Sequence, residues 1–181
     1  MTIARELAEF LTRTSVTDLP GQAVEHAAML VASTIASAAM GSGLESSAIV
    51  RSLARDRGGT AEASPWFDPG PRLPMAEAAQ VNAVMSDAAA SDDSDLRNIV
   101  HAGTTLVATA LAVAQRTGAG GGEVLAAIVL GYEAAGRIGE AITPAFRERG
   151  FHGCLVVVGL GNNTKPVGRA KHRDQRLAHV S

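Results

Sequence analysis

Alanine decides most of what this chain can become. Of its 181 residues, 34 are alanine, against six aromatics (Phe10, Trp66, Phe67, Tyr132, Phe146 and Phe151). Alanine is the best helix former and fills a sheet face poorly, so the composition favours an all-α fold and speaks against a β-sandwich. With 46% apolar and 19% charged residues the chain is globular, and its length suffices to bury one core without metals or disulfides. The single Cys154 excludes an intramolecular disulfide and a cysteine-based zinc site. The N-terminus has an acid at Glu6 and no long apolar run, unlike a signal peptide. The most apolar stretch, 27–40, is interrupted by Ser33, Thr34 and Ser37 and is short for a membrane span. A cytoplasmic protein that neither enters a membrane nor binds nucleic acid is the expectation.

Helical spacing places six helices. The first is short and amphipathic (Leu7, Phe10, Leu11) and stops near Thr14. The second starts at Asp18–Pro20 and runs to Gly41 through Val24, Ala27, Val31, Ile35 and Ala38. A third covers Leu44 to Arg55. Pro65, Pro69, Pro71 and Pro74 then mark a non-helical excursion. The fourth helix follows Pro74. The fifth follows His101-Ala102-Gly103 and ends at Gly118. The sixth runs from Glu123, after a Gly120–Gly122 turn, until Pro144 limits it. This pattern reads as an all-α helical bundle.

Chemistry concentrates between helices four and five. Residues 91–105 hold Asp92, Asp93, Asp95, Arg97 and His101, then Thr104 and Thr105 at a helix start. Free backbone N–H groups there favour an anion such as a substrate carboxylate, and Asp and His are suited to acid–base work. The alternative is a solvated loop whose Asp92 or Asp93 caps a helix. A second cluster, Arg149-Gly150-Phe151-His152-Gly153, sets a histidine on permissive backbone. Gly159–Lys165 lacks the spacing of a phosphate loop. No metal or other cofactor is expected.

Taken in order, these segments resemble a known family. An alanine-rich helical start leads to an Asp-Asp-Ser loop (Asp92, Asp93, Ser94), then to His101-Ala102-Gly103. Next come the helix with Gly131, Tyr132, Glu133, Arg137, Ile138 and Gly139, and Arg149 to His152. The order resembles the MmgE/PrpD family, which includes methylcitrate dehydratase, cis-aconitate decarboxylase and iminodisuccinate epimerase, over about residues 3–153. The resemblance implies a metal-independent, usually dimeric lyase or isomerase acting on small di- or tricarboxylates, with a helical domain and an α/β lid. It assigns catalysis to Asp92, Asp93, His101 and His152, and substrate binding to Ser94, with Thr104 and the helix start holding substrate. The proline after the family's loop histidine is Ala102 here, and the spacing from the Asp-Asp unit is one residue longer, so either aspartate can match the family's. Members of the family also run to longer chains.

Residues 160–181 carry five bases and one acid, whereas residues 1–159 hold 17 acids and 11 bases. Both lysines of the chain fall in that last segment. Residues 154–181 are therefore expected to be an atypical basic tail, mobile or frameshift-derived, on a truncated family member. A truncated helical domain exposes apolar faces, which predicts a homo-oligomer. A non-catalytic helical fragment or association module is the rival reading.

Overall fold

The computed structural model describes residues 2–96 and 100–148. They form six α-helices: α1 (Ile3–Arg13), α2 (Gly21–Gly41), α3 (Glu45–Arg57), α4 (Met75–Asp87), α5 (Ala102–Thr117) and α6 (Gly121–Glu148). The fold is all-α, as the alanine content requires. β-Pairing among these residues is confined to two isolated antiparallel bridges, Ala63–Leu73 and Asp95–Val100.

The centre is α4, which packs on α2, α3 and α5. Val81 and Met85 of α4 are fully buried with Ala38, Ala54, Ala63, Leu73 and Ala112. Burying a side chain of that size is worth about 1.5–3 kcal/mol. The small residues let the helix backbones approach closely. A Cβ on Gly41 would collide with the Met85 carbonyl, so α2 and α4 cross where only glycine fits. A second cluster joins Ala27 of α2 to Val107 of α5 and to Val124 and Ile128 of α6. By length and composition α2 is long and apolar enough to cross a membrane, because the 21-residue helix outruns the apolar stretch read from sequence. Here it packs against α4, α5 and α6.

The proline-rich excursion is pinned rather than loose. Asn82, buried in α4, accepts from the Trp66 N–H (2.7 Å) and donates to the Ser64 carbonyl (3.2 Å). Gln115 of α5 accepts from the Ser64 N–H at 2.7 Å. An amide in an apolar helix is tolerated because both of its ends are satisfied by backbone.

Two boundaries differ from the sequence reading. Helix α6 begins at Gly121, so two of the three turn glycines lie in its first turn. It also runs past Pro144 to Glu148. Proline there removes only the bond to the Glu140 carbonyl, and Glu140 is exposed, so water can take its place.

Candidate active site

Residues 88–101 connect α4 to α5, and three helices hold them. From α2, Ser37 Oγ donates to the Ser91 carbonyl at 2.9 Å. Asp95 and Val100 exchange backbone hydrogen bonds of 2.9 and 3.4 Å. Asp93 makes the remaining ties. Its Oδ1 accepts from the Gly103 N–H at 2.9 Å, at the first turn of α5, and its Oδ2 accepts from the Tyr132 hydroxyl of α6 at 2.7 Å. Its backbone carbonyl lies 3.0 Å from His101 Nδ1.

This arrangement fills part of the helix start from within the chain. The Gly103 N–H is occupied by the chain's own carboxylate, which takes the place of an external anion at the positive end of α5. Thr104, expected to hold substrate, is buried and donates its hydroxyl to the His101 carbonyl at 3.0 Å. It secures the turn that carries the histidine. Ser94 is exposed beside the pair of aspartates.

Tyr132 is the residue the sequence reading did not name as part of the site. Helix α6 runs back antiparallel along α5, with Gly131 against Leu106, where a Cβ would come within 2.8 Å of the leucine side chain. That close approach brings Tyr132 to the loop. Burial, reinforced by the hydrogen bond to Asp93 and by the charges of Asp93 and Asp92, pushes the Tyr132 phenol far above its ordinary range. Tyr132 therefore stays protonated and remains a donor to Asp93. It is the only tyrosine of the chain, so an alkaline titration followed by phenolate absorbance reads it directly. We expect no phenolate signal in the folded protein until alkaline unfolding, and ionisation near the ordinary value of about 10 in denaturant. The folded-state pKa is raised, so this group's contribution to stability is complete below about pH 10 and is lost as pH rises beyond it. Phenolate forming at that ordinary pH while the helices persist would contradict the assignment.

Asp92 and His101 form the reactive part. The Asp92 side chain is 5% exposed, and its Oδ2 lies 2.9 Å from His101 Nδ1. Nδ1 has hydrogen-bond geometry toward the Asp93 carbonyl and not toward Asp92, whose Oδ2 is buried with no hydrogen-bond partner among the described residues. The His101 side chain is 42% exposed. A buried carboxylate thus sits at Nδ1 of an accessible imidazole, an arrangement that stabilises a positive charge forming on that ring. Among the described residues no group of three His, Cys, Asp or Glu side chains is placed to hold a metal ion. His152 and the basic tail lie outside the described residues. The end of α6 stands 16 residues beyond Tyr132, about 24 Å along the helix, so α6 continues past Pro144.

The family model of the MmgE/PrpD N-terminal domain matches residues 5–167. The chain belongs to the MmgE/PrpD family. No curated protein matches it. The match covers α2 to α6 and all but the first two residues of α1, with the loop that carries Asp92, Asp93 and His101. In this MmgE/PrpD chain the Gly131-Tyr132-Glu133 segment has a definite structural task. Its glycine admits Leu106 of α5, and its tyrosine holds Asp93. The sequence signal for Tyr132 was present in that motif, but its partner, 39 residues earlier, is a matter of tertiary contact.

Proposed function

We infer that the protein catalyses proton transfer at a carbon next to a carboxylate of a small di- or tricarboxylate, leading to dehydration, decarboxylation or epimerisation. The observation that carries this reading is the 2.9 Å approach of the buried Asp92 Oδ2 to Nδ1 of the accessible His101. With its Nδ1 proton directed to the Asp93 carbonyl, His101 keeps the lone pair on Nε2 and can accept a proton from carbon there. The imidazolium that results is met by the carboxylate already waiting at Nδ1. That attraction is strongest when the ring is charged, so it favours the transition state over the resting state. His152 would assist or bind a substrate carboxylate, and Ser94 would hold substrate at the loop. Family membership supports the substrate class.

Hydrogen–deuterium exchange provides the test, because it registers carbon deprotonation even when later steps are slow. Full-length protein is incubated in D2O with cis-aconitate and methylcitrate, and label and products are followed by NMR. Wild-type protein should incorporate deuterium or form product, and His101→Ala should lose about 10²–10⁴-fold of that rate. Absence of any reaction with the wild type, or full activity in the variant, would overturn the reading.

The working form is further proposed to be a homo-oligomer. Ile49 and Leu53 lie one turn apart on α3 and are 52% and 49% exposed, and Met29, Met40 and Leu44 are also exposed. An uncovered apolar stripe of this kind favours self-association. Sedimentation velocity should therefore show a species larger than the monomer, shifted toward monomer by Ile49→Glu with Leu53→Glu. A concentration-independent monomer would exclude it.

A further inference from the structure

We propose that Tyr132 is a positioning residue that acts through Asp93 to fix which nitrogen of His101 carries the proton. The argument starts at the Asp93 backbone. Its carbonyl can only accept, so its 3.0 Å contact with His101 Nδ1 is attractive only when Nδ1 is protonated. A neutral imidazole has one N–H, which leaves Nε2 as the base. The direction of that carbonyl depends on how the Asp93 residue is held. Its side chain is fixed at both oxygens, by the Gly103 N–H of α5 at 2.9 Å and by the Tyr132 hydroxyl of α6 at 2.7 Å. Space around the carboxylate is tight, since a Cβ on Gly103 would meet both Asp93 Oδ1 and the Tyr132 hydroxyl. One tyrosine on α6 thereby bears, through Asp93, on the proton at His101 Nδ1, beside the Asp92 carboxylate 2.9 Å from the same nitrogen. This deepens the reading of His101 as the base, because only the tautomer with a free Nε2 presents a lone pair away from the two aspartates.

Ring nitrogen chemical shifts test it without any turnover, so the result is independent of whether the proposed reaction occurs. Protein labelled with ¹⁵N is recorded by long-range ¹H–¹⁵N correlation at a pH where His101 is neutral. Its resonance is assigned by its loss in His101→Gln. The wild type should show Nδ1 protonated and Nε2 unprotonated. Tyr132→Phe keeps the ring in place and removes the hydroxyl, and it should move the tautomer population measurably toward Nε2–H while circular dichroism stays helical. Should Tyr132→Phe fail to fold, Asp93→Asn serves instead, since an amide cannot accept at both positions and the same shift is expected. A wild-type spectrum with the proton on Nε2 would overturn the proposal. So would an unchanged tautomer in whichever variant is folded.

Discussion

Alanine at position 103 should unfold the loop's anchorage and cost about 2–4 kcal/mol of stability, the sum of an overpacked site and a lost buried hydrogen bond. The new Cβ would collide with Asp93 Oδ1 and stand 2.7 Å from the Tyr132 hydroxyl. Neither neighbour can yield freely. The aspartate is tied to the Gly103 N–H, and the tyrosine is half-buried in the cluster between α5 and α6. Relief therefore requires Asp93 to leave the helix start, which strands the Gly103 N–H and the phenol together. The damage should be local as well as global, because His101 takes its orientation from the same aspartate. Urea denaturation of the Gly103→Ala variant measures the first effect. The ¹⁵N shifts of His101 measure the second. A variant as stable as the wild type, with the His101 ring unchanged, would mean that the close packing of Asp93, Gly103 and Tyr132 is not what holds the loop.

Much of the fold could be read from alanine spacing and from the turn residues around it. Helix α2 ends at Gly41 as its periodicity predicts, and α5 begins at Ala102, two residues ahead of the start its sequence suggests. The misreadings share a cause, which is that local propensity was overridden by position. Pro144 stays within α6 because the carbonyl it abandons is on an exposed residue, and Gly121 and Gly122 enter the helix at its first turn. The site was legible as a cluster but not as a set of roles. Asp92 and Asp93 are adjacent and chemically identical in sequence. Structure separates them: Asp93 spends both carboxylate oxygens on Gly103 and Tyr132, whereas Asp92 sets a buried oxygen with no hydrogen bond 2.9 Å from His101 Nδ1. The sequence sets Thr104 beside the N–H groups of a helix start, and the structure shows its hydroxyl donating back to the His101 carbonyl. Tyr132 and Asn82 had no local signal for their partners, which lie on other elements.

The division between the two aspartates leads to an expectation with opposite signs for stability and activity. Asp92→Asn retains the size and shape of the side chain and removes its charge. In the wild type that carboxylate is almost fully buried and lacks a directed hydrogen bond, a condition that costs free energy in the folded state. Its removal should leave stability unchanged or raise it by about 1 kcal/mol, as when a buried polar group is relieved of an unsatisfied interaction. Proton abstraction by His101 should fall by about 10²–10⁴-fold, because the imidazolium formed during the reaction then has no carboxylate at Nδ1. Asp93→Asn should behave differently, losing stability first, since its oxygens both accept hydrogen bonds. Chemical denaturation and deuterium exchange on the same two preparations separate the cases. If Asp92→Asn is destabilised as much as Asp93→Asn while still exchanging at the wild-type rate, Asp92 is a structural residue and the proton-transfer pair is wrongly placed. A stable, inactive Asp92→Asn would instead show that the protein maintains an unfavourable buried carboxylate for the sake of the charge it stabilises on His101.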